Sequence, residues 1–148
     1  MDNNKILPVV LAGGKSKRFG GGKSQAQLGG KILIDYILSE IINDFKEVII
    51  VANDPIKHLP SEKITMIGDF KKNLGPLGGI FSAMKWVKDN HKKYQWIVTF
   101  PSDTPFFKNK RMNSFLNKNN EKESELFFMK SNEKRHNIFG LWSLDLID

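Results

Sequence analysis

Apolar positions along the chain fall into short unbroken runs separated by stripes of helical spacing. Ile6 to Leu11 is a continuous apolar run stopped by glycines, as expected of a buried parallel strand. Leu33, Ile34, Ile37, Leu38, Ile41 and Ile42 then recur every three or four residues, which puts them on one face of a helix closing near Asn43-Asp44. Val48-Ile49-Ile50-Val51 and Ile64-Thr65-Met66-Ile67 are two further β-branched runs bounded by turn-forming residues. Gly75-Pro76-Leu77-Gly78-Gly79 reads as a turn cluster, after which Ile80, Phe81, Met84 and Val87 predict a helix running to Asp89-Asn90. Trp96 to Phe100 is the next strand, stopped by Pro101, and Met112, Phe115 and Leu116 mark a short amphipathic helix before the polar run Asn117 to Glu123. Leu126–Met129 and Ile138–Trp142 are the last strand candidates, and Ser143 is placed to cap a helix that begins at Leu144.

Strands spaced by helix-length segments predict βαβ units and a mostly parallel sheet covered by helices, an α/β fold. At 148 residues the chain fits one domain, with no internal repeat, low-complexity tract or interdomain linker. Hydrophobic residues make up 40% and charged residues 26% of the chain, and no apolar run approaches the length of a membrane span. The first residues, Met1-Asp2-Asn3-Asn4-Lys5, lack the basic and apolar regions of a secretory signal, and there is no cysteine, which together favour the cytoplasm. The net charge of +7 is carried mostly by lysines scattered along the chain rather than in one block. That distribution argues against a nucleic-acid partner, while a basic surface still steers anionic small molecules toward a cleft.

Candidate chemistry gathers where the strands end. In an open α/β sheet, ligands bind beyond the carboxyl ends of the strands. There stand Leu11-Ala12-Gly13-Gly14, Gly68-Asp69 and Pro101-Ser102-Asp103-Thr104-Pro105. The stretch Leu11 to Lys23 combines five glycines with four cations, which suits a loop that turns backbone N–H groups toward a phosphate and neutralises it with Arg18 and Lys23. Two common phosphate motifs do not fit. Gly22-Lys23-Ser24 matches the end of G-x-x-x-x-G-K-[ST], but the first glycine would fall at Lys17, and G-x-G-x-x-G begun at Gly20 ends on Gln25. An ATPase or a dehydrogenase is therefore disfavoured. Each residue also has a plainer reading: the glycines as a strand-to-helix turn, Asn53 as a strand end, Asp69 as an Asx-turn, Asp103 as a turn former, and Gly75–Gly79 as a helix start.

Leu11-Ala12-Gly13-Gly14, Ser16, Arg18-Phe19-Gly20 and Lys23 together resemble the signature loop of the nucleotidyltransferases, and most of all that of the molybdenum cofactor guanylyltransferase family. The resemblance continues through Gly29-Gly30-Lys31, Val51-Ala52-Asn53, Gly75–Ile80 and Pro101–Phe106, nearly the whole chain. It implies a Rossmann-like three-layer sandwich of the nucleotide-diphospho-sugar transferase type, and GMP transfer from GTP to molybdopterin with magnesium as cofactor. It further implies that Leu11, Ala12, Gly13, Gly14, Lys23, Asn53, Asp69 and Asp103 contact the nucleotide, that Asp103 binds the metal, and that Arg18, Lys23 and Asp103 serve catalysis. Arg135-His136 resembles a segment near the pterin side of the cleft, and the implied protein contacts are transient ones with carriers or acceptors of the cofactor. Three departures accompany it: Gly22 stands where the family has aspartate before the lysine, His136-Asn137 replaces His-Pro, and the chain stops short of a carboxy-terminal segment. The alternatives left open are a cytidylyl- or sugar-phosphate nucleotidylyltransferase, and a truncated non-catalytic nucleotide-binding module.

Overall fold

The computed structural model of the chain describes residues 2–12, 27–58, 60–70, 74–90, 92–104, 107–118, 124–131 and 134–148. Among the described residues, eight strands and three α-helices follow one another as β1 (Ile6–Leu11), β2 (Gln27–Leu28), β3 (Lys31–Ile32), α1 (Leu33–Ile41), β4 (Val48–Val51), β5 (Ile64–Ile67), α2 (Gly75–Asp89), β6 (Trp96–Pro101), α3 (Asn109–Lys118), β7 (Leu126–Ser131) and β8 (Lys134–Ser143). Six strands form the main sheet in the order β5-β4-β1-β6-β8-β7. β5, β4, β1 and β6 are mutually parallel, and β8 runs antiparallel between β6 and β7. Pairing of β1 with β4 begins at Val9, one residue after Pro8, which has no N–H to donate to a ladder.

Alternation along each strand sorts its side chains into two cores. Ile6 and Val10 of β1, Val48 and Ile50 of β4 and Val98 and Phe100 of β6 pack with Ile34, Ile37, Leu38 and Ile41 of α1 and Met112 and Leu116 of α3. Leu7 and Val9, Ile49 and Val51, and Ile97 face the other way, onto Ile80, Ala83, Met84 and Val87 of α2. The result is a three-layer α/β/α sandwich, in which the central strands are apolar on both faces because both are covered.

The predicted strands and helices are present, with four differences. α2 starts at Gly75 with Pro76 in its first turn, so the Gly75–Gly79 cluster is the head of the helix rather than a turn before it. Among the described residues of 52–63 there is no helix, and β4 reaches its parallel neighbour β5 by irregular chain. Gln27–Leu28 and Lys31–Ile32 form a small hairpin whose turn residues Gly29 and Gly30 have φ of 60° and 79°, the positive angles a type I′ turn takes at both positions. Arg135 and His136 lie inside β8, paired with Lys130 and Met129, rather than before it. Ser143 caps as expected, accepting from the Asp145 N–H at 3.2 Å, and the turn that follows is a 3-10 helix, Leu144–Ile147. Among the described residues no helix is long and apolar enough to cross a membrane.

α1 and α3 are joined by a polar clasp. Glu40 accepts from the Asn109 N–H at 2.9 Å and from Lys108 Nζ at 3.4 Å, and Asn109 Nδ2 donates to Asp44. The backbone hydrogen bond from Asn109, with help from Lys108, holds the Glu40 carboxyl below its ordinary value of 4.5. A carboxylate with a depressed folded-state value stabilises fully above its unfolded value and loses that contribution as pH falls through the folded one. Glu40→Ala is expected to lower the melting midpoint by about 2–4 °C at neutral pH, an effect of helix-cap size. The gap from wild type should narrow below pH 4.5, which thermal melts across a pH series would check. A gap that widens on acidification would contradict the assignment.

Candidate active site

Because β5, β4, β1 and β6 are parallel, their carboxyl ends open on one edge of the sheet. The chain leaves β1 toward β4 and β5 on one side, then returns through α2 to β6 on the other, so strand order reverses at β1. Such a reversal forms the crevice in which open α/β sheets bind ligands. Leu11 and Ala12 close β1 at that point, and the Ala12 N–H extends the ladder to Val51 O at 2.8 Å. Gly13, Gly14, Arg18 and Lys23 lie outside the described residues.

On the β5 side, Asn53 and Asp69 are brought together. The Ala52 N–H donates to Ile67 O at 2.9 Å, and Asn53 Oδ1 accepts from the Asp69 N–H at 3.3 Å. The first turns of α2 lie against the same strand ends. A Cβ on Gly79 would come within 2.9 Å of Leu11 Cδ2, 3.5 Å of Val51 Cγ1 and 3.6 Å of Asp69 Oδ1, so a larger residue there would push the Leu11 side chain aside. Asp69 Oδ1 is a buried acceptor that no donor reaches among the described residues. A buried, unsatisfied carboxylate oxygen costs on the order of a few kcal/mol and is satisfied when a donor from a ligand meets it.

Asp103 stands on the other side of β1, half-buried on the turn that leaves β6. The turn is closed by Thr104 Oγ1 donating to Pro101 O at 3.3 Å and by the Phe107 N–H donating to Thr104 O at 3.2 Å. Three strand spacings separate β5 from β6, so Asp69 and Asp103 start from points about 14 Å apart and occupy different ends of the crevice. Among the described residues no group of three or more His, Cys, Asp or Glu forms a metal cluster. Magnesium asks for less than that, since it is commonly held by one or two carboxylates together with substrate phosphates, and Asp103 is a donor of that kind.

β8 adds the far end of the edge. Its pairing with β6 runs only from Trp96↔Ser143 to Val98↔Leu141, so the earlier residues of β8 pass beyond the carboxyl end of β6. The β7–β8 register jumps from Phe128↔Gly140 to Met129↔His136, leaving residues 137–139 as a bulge. Phe139 in that bulge stacks on Phe107, with ring centres 5.2 Å apart, and meets Phe100 and His136 edge-on. Arg135 lies over the Phe128 ring at 5.1 Å. Sequence reading missed one residue at this edge: Ser82, whose hydroxyl reaches the chain beside Asp69. A serine within an amphipathic helix has no signal that separates such a bond from ordinary capping of its own helix.

Residues 8–148 match the model of the MobA-like NTP transferase domain. The molybdenum cofactor guanylyltransferase of Rhizobium rhizogenes is 29% identical over 148 residues, an alignment covering 99% of this chain and 68% of that protein. The crystal structure of a protein from Aquifex aeolicus VF5 is 30% identical, with a TM-score of 0.71 over 99% of this chain and 74% of its own. Molybdopterin-guanine dinucleotide biosynthesis protein A from Archaeoglobus fulgidus, 20% identical, shares the fold at a TM-score of 0.72 over 95% of this chain and 69% of its own. With a parallel-sheet crevice of this design and a family match running from residue 8 to residue 148, the chain belongs to the MobA-like NTP transferase domain family.

Proposed function

We propose that the chain transfers GMP from GTP to the terminal phosphate of molybdopterin, forming the guanine dinucleotide cofactor and releasing pyrophosphate. The observation that carries this reading is the match to relatives named molybdenum cofactor guanylyltransferase across nearly the whole chain. The order of groups along the edge of the sheet agrees with the reaction. A phosphate oxygen of the acceptor attacks the α-phosphorus of GTP, a new P–O bond forms, and the bond from that phosphorus to the oxygen bridging to the β-phosphorus breaks. The reaction brings two anions together, so the site must neutralise repulsion and hold the reacting atoms in line.

In this reading the backbone of Leu11, Ala12, Gly13 and Gly14, with Arg18 and Lys23, grips the triphosphate at the centre of the edge. Asp103 would hold magnesium, which supplies charge neutralisation to the phosphate oxygens when bound. Asn53 and Asp69 serve the nucleoside end. A carboxylate is repelled by the triphosphate, whereas guanine presents N1–H and N2–H donors that suit the Asp69 oxygen left without a donor among the described residues. The acceptor then lies toward β6 and β8, on the side of Arg135 and His136. A net charge of +7 favours the encounter with both anionic substrates.

Calorimetric titration with GTP, CTP and ATP in magnesium, followed by pyrophosphate release on adding molybdopterin, tests the reading. GTP is expected to bind preferentially and to react only with the pterin present. Equal affinity for the three nucleotides would overturn the choice of GTP, and binding without pyrophosphate release would leave a nucleotide-binding module. Asp69→Asn should weaken GTP binding by about tenfold, the usual size of a lost charge-assisted hydrogen bond.

A further inference from the structure

Ser82 of α2 reaches the backbone beside the candidate site, next to Phe81 and Lys85, whose side chains meet the Phe70 ring. It is only 4% exposed, and its hydroxyl donates to Gly78 O at 2.8 Å, the bond a helical serine commonly makes to the carbonyl four residues back. The same oxygen accepts from the Phe70 N–H at 2.7 Å, and that bond leaves the helix. Phe70 follows Asp69 directly, and the Asp69 N–H is itself held by Asn53 Oδ1 at 3.3 Å. The two amides on either side of the Asp69 α-carbon are therefore both tied, one to β4's end and one to α2. With the backbone pinned at both amides, the carboxylate is directed at the Gly79 side of the crevice, where its Oδ1 stays buried and unpartnered among the described residues.

We infer that Ser82 is a positioning residue: its hydroxyl sets the orientation of the Asp69 carboxylate toward the nucleoside of the bound nucleotide. The inference rests on the nucleoside role given to Asp69 above. Ser82 touches no substrate and acts through the backbone of Phe70. Preorganised acceptors gain affinity because the ordering is complete before the ligand arrives. Removing the hydroxyl frees the 69–70 peptide to turn and leaves the Phe70 N–H without its acceptor.

A double-mutant cycle with calorimetric GTP binding in magnesium separates this role from a structural one. Ser82→Ala is expected to weaken GTP binding by about tenfold, with the catalytic rate at saturating GTP within about twofold of wild type. On an Asp69→Asn background the same change should cost less than about twofold, because the carboxylate it positions is now an uncharged amide. Ser82→Thr keeps the oxygen and should bind GTP within about threefold of wild type. An undiminished loss on the Asp69→Asn background, or no loss in Ser82→Ala, would overturn the positioning role while leaving Asp69 as a nucleotide contact. Wild-type affinity in Asp69→Asn alone would instead remove the nucleoside role, and the positioning role with it. Should Ser82→Ala fail to melt cooperatively, Ser82→Cys, similar in size and a weak acceptor, carries the same expectations.

Discussion

Replacing Asp103 by alanine is expected to lower magnesium-dependent pyrophosphate release by about a thousandfold or more while leaving the melting midpoint close to wild type. The size follows from what a single carboxylate does at this position. In the proposed role it would bring the cation to the phosphates, and several kcal/mol of charge stabilisation in the transition state would depend on that cation. The fold should tolerate the change because the turn is closed by Thr104 Oγ1 on Pro101 O and by the Phe107 N–H on Thr104 O. Asp103→Asn makes the stricter version, since it keeps the volume and removes only the charge. Turnover near the wild-type rate in either variant, measured at saturating GTP and magnesium, would sink the metal-binding role. GTP affinity measured without magnesium should change far less, which separates loss of the metal from collapse of the crevice.

Phe100→Ala carries the largest expected effect on stability. Phe100 is 1% exposed, and its ring meets Phe107 at 5.4 Å and Phe139 at 6.0 Å, both edge-on. Truncating a buried phenylalanine loses its transfer free energy and leaves a cavity, together about 3–5 kcal/mol. For a chain of this size that corresponds to a fall of roughly 10 °C in melting midpoint. The ring also has a positional consequence. It stands immediately before the Pro101–Thr104 turn, and it packs against Phe107 just after that turn and Phe139 in the β8 bulge. Loss of the ring should therefore also reduce turnover at temperatures where the protein remains folded. Chemical denaturation reads the stability term, and a loss below about 1 kcal/mol would show that the aromatic cluster is not what holds these segments together.

Much of the secondary structure was legible because it follows from local spacing. The apolar runs at Ile6–Leu11 and Val48–Val51 and the β-branched run at Ile64–Ile67 became the strands expected of them, and the stripe from Leu33 to Ile41 became α1. Gly75–Gly79 could be read either as a turn cluster or as a helix start, and the structure makes it the head of α2. Whether glycines end or begin a helix depends on what packs against them, here Leu11, Val51 and Asp69 around Gly79. The hairpin at Gly29-Gly30 was missed as an element because each of its strands is two residues long, too short for any alternation to register.

The candidate site divides in the same way. Asp69 and Asp103 could be picked out because they follow strands, and parallel strands put whatever follows them on one edge, whereas Asn53 came only from the resemblance. Their arrangement along that edge is a non-local property. Strand order placed Asp69 and Asp103 on opposite sides of β1, after strands about 14 Å apart, and no spacing in the chain encodes that order. The bulge at residues 137–139, the antiparallel course of β8 and the Ser82 bond to Phe70 likewise depend on which surfaces meet. The sequence by itself determined the faces: apolar periodicity fixes which side chains turn inward, and turn chemistry fixes where strands stop. Only the tertiary structure decided the neighbours, because backbone pairing and packing between elements are satisfied by partners far away in the chain.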